Sequence, residues 1–360
     1  MSSTFGKNIK CTIFGQSHSP AIGVVIEGLP PGTEIKPERI REFMARRAPG
    51  NAPWVTPRKE TDAPEIVSGV FNDKTCGVPL CALIHNTDHR SGDYDKIKDI
   101  PRPGHADFSG HIKYRGFEDH RGGGHFSGRL TAPLCFAGAI TKDILAEKGI
   151  FIGAHIAAIG GIEDKPFDPV NITKEELEMP GKMDFPVQNY KIGDTMTAKI
   201  MLAKEKGDSL GGLIEGCAIG LPPGLGEPIF DGLENDLAKA AFGIPAVKGV
   251  EFGNGFAAAE KKGSENNDDF IIDNGTIKTA TNNHGGILGG ITTGMPLIMR
   301  IAIKPTPSIS QKQRSVDIRN HEETELTIDG RHDPCIVPRA VPVLESIMAI
   351  TILDHIIERN

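Results

Sequence analysis

The sequence predicts an α+β fold with an internal pseudo-twofold repeat, folded as one unit over residues 1–360. Three observations predict it. Gly15-Gln-Ser17 precedes Gly28-Leu-Pro-Pro-Gly32, and Gly207-Asp-Ser209 precedes Gly220-Leu-Pro-Pro-Gly224 at the same spacing. Gly77-Val-Pro-Leu80 returns as Gly294-Met-Pro-Leu297, and two matches in the same order point to duplication rather than chance. Strands and helices also mix without regular βαβ alternation, and no long linker or low-complexity tract divides them.

In chain order, β-branched runs at 22–26 and 213–219 each end in a Pro-Pro-Gly turn. A helix-period pattern follows each, at 36–47 after Gly32 and at 230–241 after Glu227-Pro228. Residues 132–148 read as the most buried helix, with few charges until Lys148-Gly149 supplies a stop. The runs after Leu80 and Leu297 read as strands, and 341–357 as another long helix.

With 38% hydrophobic and 24% charged residues, the composition is that of a globular chain. A net charge of −7, one Trp and three Tyr argue against nucleic-acid partners, which need a basic face and stacking platforms. No apolar run approaches the ~20 residues of a membrane span, and the first residues lack a signal-peptide core. The six cysteines have no zinc-type spacing and read as reduced thiols, so the expected location is the cytoplasm, away from membranes.

Five constellations carry chemistry. Ser17-His18 puts a hydroxyl beside an imidazole, the group suited to deliver a proton near neutral pH. The second repeat keeps Ser209 but has Leu210 in place of His18, so the shared fold does not demand the histidine. Arg102-Pro103-Gly104-His105-Ala106-Asp107 holds a cation and a titrating group on a stiff turn; a solvated turn is an equal reading. Arg46-Arg47, joined by Arg58-Lys59, suits forked phosphate recognition, and its expected repeat counterpart is the weakly charged Ala238-Lys239. The glycine-rich stretches 121–129 and 282–290 can present backbone N–H groups to an anion, or simply pack closely. Lys304-Pro-Thr306-Pro-Ser308 and Gly330-Arg331-His332-Asp333 read as an anion cradle beside a base, or as surface loops. His18, His105, Asp107, His332 and Asp333 are also metal-ligand types, but their spacing fits no helix-borne pair, so no metal is expected.

Together these motifs resemble chorismate synthase, from about residue 5 to residue 357. Those that carry it are Phe14-Gly-Gln-Ser-His18, Gly28-Leu-Pro-Pro-Gly32, Asn86-Thr-Asp88, Arg102-Pro-Gly-His-Ala-Asp107 and Arg121-Gly-Gly-Gly124. Gly224-Leu-Gly-Glu-Pro228, Val247-Lys-Gly-Val-Glu251, Asn283-His-Gly-Gly-Ile-Leu-Gly-Gly290, Lys304-Pro-Thr306 and Gly330-Arg-His-Asp-Pro-Cys335 follow in the second half.

The resemblance implies a single-domain β-α-β sandwich that assembles as a homotetramer. It implies anti-1,4-elimination of phosphate from 5-enolpyruvylshikimate-3-phosphate to give chorismate, in aromatic amino-acid biosynthesis. The reaction depends on reduced FMN; the sequence shows no extra nucleotide-binding insertion, so an external reductant is expected, NADPH through a separate reductase. By the same resemblance His18 supplies a proton at the leaving phosphate and His105 stands near the flavin. Asp333 with Ser17 assists proton removal from the substrate. Arg46, Arg47, Arg102 and Arg129 bind the anionic groups of substrate or NADPH. His125, Ser127, Ala246, Gly289, Lys304, Thr306, Ser308 and Arg331 fall on flavin-side positions. The chain departs from the family pattern at Gln16, Pro53, His125-Phe126 and Pro245. His125 is expected to stand in for a lost positive charge or donor.

Overall fold

The computed structural model describes residues 3–50, 52–55, 62–86, 98–328 and 332–359. Two five-stranded antiparallel sheets dominate it. The first holds β1 (Thr4–Phe5), β2 (Lys10–Gly15), β3 (Ala21–Glu27), β4 (Pro64–Ser68) and β5 (Leu80–His85), ordered β1-β2-β3-β5-β4. The second holds β6 (Phe151–Ile159), β7 (Ile162–Glu163), β8 (Gly212–Ile219), β9 (Val247–Phe252) and β10 (Leu297–Ile303), ordered β9-β10-β8-β6-β7. The longer helices are α1 (Pro37–Ala45), α2 (Asp107–Tyr114), α3 (Thr131–Glu147), α4 (Tyr190–Glu205), α5 (Leu233–Phe242) and α6 (Val337–Arg359).

Strand periodicity decides which faces are covered. Ile22, Val24 and Ile26 of β3 and Leu80, Ala82 and Ile84 of β5 are buried at every second position, so one face of the first sheet turns inward. α3 packs on that face and also against α6 and β6, while α6 lies on β6 and β8. The two helices thus form a layer between the sheets. The second sheet is covered on its other face too, where Phe167, Ile172 and Leu177 bury Cys217 and Ile298.

The repeat is visible as topology. Strands β2-β3-β5-β4 and β6-β8-β10-β9 stand in the same relative order, and an equivalent helix joins the second strand of each set to the next in sequence. A long central helix, α3 or α6, follows each set; β7 and α4 belong to an insertion in the second half. The Pro-Pro-Gly turns are closed by the same clamp. Thr75 Oγ1 donates to the Pro30 carbonyl at 2.6 Å and accepts from the Thr33 N–H at 3.0 Å. Thr292 Oγ1 donates to the Pro222 carbonyl at 2.6 Å and accepts from the Leu225 N–H at 2.9 Å. The Gly32 and Gly224 amides donate to the Thr75 and Thr292 carbonyls, each at 2.8 Å.

Two expectations need correction. α6 begins at Val337 rather than 341. Pro338 sits in its first turn, where a missing N–H costs nothing, and Pro342 is carried inside the helix with Ser346 Oγ donating to its carbonyl at 2.7 Å. Val337–Ile357 is also long and apolar enough to cross a membrane, contrary to the reading that no run approaches that length. Its most apolar window is 94% buried, because it fills the space between the sheets. It is a core helix.

Candidate active site

A cavity of about 610 Å³ opens where the two halves meet, beside the N-terminal ends of α3 and α6. Two helix N-termini make this wall favourable to anions before any side chain is counted. Arg47, Arg102, His105, His125, Ser127, Arg129, Ala246, Lys304, Thr306, Ser308 and Asp333 of the expected set all line it.

Arg47 and Arg129 form one buried unit, 5% and 7% exposed. Asp62 joins them, Oδ2 accepting from Arg47 Nη1 at 2.6 Å and Oδ1 from Arg129 Nη1. Arg47 also donates from Nε to Thr131 Oγ1 and from Nη2 to the Gly128 carbonyl, each at 3.1 Å. Arg129 Nε donates to Asn86 Oδ1 at 3.0 Å. Burial alone would raise the Asp62 pKa, but the two guanidinium groups overcome it and hold the carboxyl below the usual carboxylate range.

His105 sits on the turn closed by its N–H to the Arg102 carbonyl at 3.2 Å. Arg102 is held in turn by Asp107, through Nε to Oδ2 at 2.7 Å and Nη2 to Oδ1 at 2.8 Å. His105 Nε2 lies 3.0 Å from Ser308 Oγ, and Lys304 Nζ donates to the Gly104 carbonyl. Burial first, then Arg102, lowers the His105 pKa to about 4, so the imidazole is neutral near pH 7. Burial also lowers the Lys304 pKa, with Lys248 adding to it.

Ser17 and His18 stand one layer behind the lining. The Ser17 N–H donates to the Gly124 carbonyl at 3.1 Å, and the His18 ring packs on the backbone of Gly122, which lines the cavity. A Cβ on Gly122, at φ +60°, would fall 2.2 Å from His18 Cε1, so only glycine fits over this imidazole. Asp333 Oδ2 accepts from Arg339 Nη1 at 2.5 Å, and Arg339 Nε donates to the Arg47 carbonyl at 2.9 Å. Ala246 has φ +75°, a strained conformation for a non-glycine residue.

Three expected residues behave differently. Arg46 faces a separate cleft, paired with the buried Glu345, because consecutive residues at a helix end project about 100° apart. Gly289 lies on the tight turn between Ile287–Leu288 and Ile291–Thr292, outside the described lining. His125 does line the cavity, but its Nδ1 donates to the Gly15 carbonyl at 2.7 Å and its Nε2 accepts from Ser3 Oγ at 2.8 Å. Both ring nitrogens are spent on the wall, so His125 is a brace rather than the replacement donor expected. Arg331, with Arg58, Lys59 and Thr87-Asp88, lies outside the described residues. Among the described residues no three His, Cys, Asp or Glu come together as a metal cluster.

Sequence reasoning missed Asp62 and Arg339. Nothing local distinguishes Asp62. Arg339 had a signal: a cation in the first turn of an apolar helix opposes the macrodipole and so calls for an acidic partner.

The comparisons with known proteins converge. The chorismate synthase family model matches residues 9–357. Chorismate synthase of Pyrococcus abyssi is 49% identical, the match covering 99% of this chain and 98% of that protein. Chorismate synthase of Korarchaeum cryptofilum is 47% identical over 98% of this chain and 96% of its own. A crystal structure of chorismate synthase superposes with a TM-score of 0.77 at 29% identity, covering 99% of this chain and 93% of that one. The chain belongs to the chorismate synthase family, lyases that make chorismate by eliminating phosphate from 5-enolpyruvylshikimate-3-phosphate.

Proposed function

We propose that the 610 Å³ cavity is the place where this elimination occurs. The observation that supports it most is the meeting, on one wall, of two buried arginines and a histidine kept neutral by its surroundings. Arg47 and Arg129 receive the anionic groups of 5-enolpyruvylshikimate-3-phosphate, with Arg102 beside them. His18, behind Gly122, serves the departing phosphate. Asp333, kept in place by Arg339, acts with Ser17 on the hydrogen that leaves the ring. Burial and Arg102 keep His105 neutral, and a bound anion raises its proton affinity, so its protonation follows binding.

The wall also fits an anionic cofactor. Thr306 Oγ1 is buried with no hydrogen-bond partner among the described residues, beside Ser308 and Lys304. Lys304, Thr306, Ser308, Ser127 and Ala246 would hold reduced FMN. When bound, that cofactor supplies an electron that is lent and recovered, leaving no net redox change. We assign its reduction to a separate enzyme using NADPH. The exposed Phe117, Phe230, Phe256 and Ile272 suit burial between copies in a homotetramer. Six free cysteines suit the cytoplasm.

Anaerobic incubation with reduced FMN and 5-enolpyruvylshikimate-3-phosphate tests the proposal. Chorismate absorbance should appear only with the flavin present. Phosphate release without flavin, or no product from folded protein, overturns it.

A further inference from the structure

We infer that Asp62 is a positioning residue for substrate-anion recognition, acting from behind the cavity on Arg47 and Arg129 together. This rests on the proposed anion-binding role of those arginines.

The geometry separates two ways a carboxylate can sit beside paired arginines. A carboxylate inside the cavity would compete with the substrate. Asp62 does not line the cavity, whereas both arginines do. It is 3% exposed and divides its two oxygens, one to each guanidinium. Two buried guanidinium groups held close together repel each other and each pays desolvation; a carboxylate between them offsets both terms. Asp62 therefore leaves the wall one net positive charge from three ionised groups, aimed away from itself. Its backbone takes φ +47°, a conformation non-glycine residues adopt at a cost, so the surrounding structure holds the carboxylate there. Thr131 and Gly128 hold the other Arg47 contacts and Asn86 holds Arg129 Nε, while Asp62 accepts from both cations and so links them.

Asp62→Asn is the informative change. Its amide can accept from one guanidinium but presents N–H to the other. The KM for 5-enolpyruvylshikimate-3-phosphate should rise about 10- to 100-fold, as for other broken buried charge pairs, while kcat changes far less. Asp62→Glu, which keeps the charge, should recover most of the affinity. Arg129→Gln should raise KM on its own, and adding Asp62→Asn to it should cost less than Asp62→Asn costs alone. If Asp62→Asn fails to fold, the charge-balanced double variant and Asp62→Glu still report: KM in the double variant far above that of Arg129→Gln overturns the inference. So does a wild-type or lowered KM in folded Asp62→Asn, or a loss confined to melting temperature. If Arg129→Gln leaves KM unchanged, the arginine reading itself fails, a result distinct from failure at Asp62.

Discussion

The corners at Ser17-His18 and Ser209-Leu210 occupy equivalent places in the two halves, yet they do different work. In the first, the Ser17 N–H holds the Gly124 carbonyl and His18 presses on Gly122, under a loop that lines the cavity. In the second, Ser209 Oγ donates to the Thr306 carbonyl at 2.6 Å and the Leu210 N–H to the Pro334 carbonyl at 2.9 Å. Both corners brace a segment beside the cavity, but only the first brings a group that titrates. The helix ends differ in the same sense. Arg46-Arg47 follow α1, while Gly243-Ile244 follow α5 and line the same cavity. This replaces the expected counterpart Ala238-Lys239, because α5 starts and ends later than its sequence pattern suggested. Duplication repeated the scaffold, but at these two corners and helix ends the histidine and the arginines stand in the first copy only.

The sharpest test of this division is His18→Ala against Leu210→Ala. Loss of a general acid costs about 10² to 10⁴ in turnover, so His18→Ala should fall in that range while Leu210→Ala stays within a few-fold. Comparable losses in both would end the asymmetry. Gly122→Ala comes next: displacing the His18 ring should reduce turnover by about 10²-fold, the usual consequence of a misplaced group. A crystal structure of that variant with the imidazole unmoved would remove the explanation.

The shared scaffold should respond symmetrically. Thr75→Val and Thr292→Val each strip a buried hydroxyl from the same clamp, and each should destabilise by about 1–3 kcal/mol in denaturant unfolding. A clear effect in one half alone would show that the clamps are not equivalent.

The smallest effect concerns a buried histidine of the second half. His155 lies fully buried between Glu215, 3.2 Å from its Nε2, and Asp164, 3.6 Å from its Nδ1. Burial lowers its proton affinity, but hydrogen bonds and charge from Asp164 and Glu215 outweigh that and raise the pKa above the ordinary histidine value. A raised pKa stabilises the fold fully below the unfolded value of about 6.5 and loses that contribution as pH climbs through the folded one. Melting curves of wild type and His155→Gln should therefore differ more at pH 6 than at pH 9. An equal gap at both would show that the imidazole is not charged in the fold.

The site was legible in the sequence to different depths. His105, Lys304 and Ser308 could be found because Pro and Gly announce stiff turns, and turns are local. Arg46 and Arg47 could not be told apart, since neighbours at a helix end project about 100° apart and the sequence does not say which direction faces the cavity. His125 looked like a free donor, and only the fold shows Ser3 and Gly15 closing on both its nitrogens. Asp62 left no trace at all, because its meaning lies in two arginines 15 and 67 residues away.

What the sequence determined by itself was the repeated scaffold: strand periodicity, Pro-Pro-Gly turns and helical runs act within a few residues of one another. What only the tertiary structure decided was the state of the charges. Burial and partners from distant segments set whether His105 is neutral, whether Asp62 stays ionised and which arginine meets the cavity. Those energies depend on through-space distance and local dielectric, which exist only once the two halves have packed together.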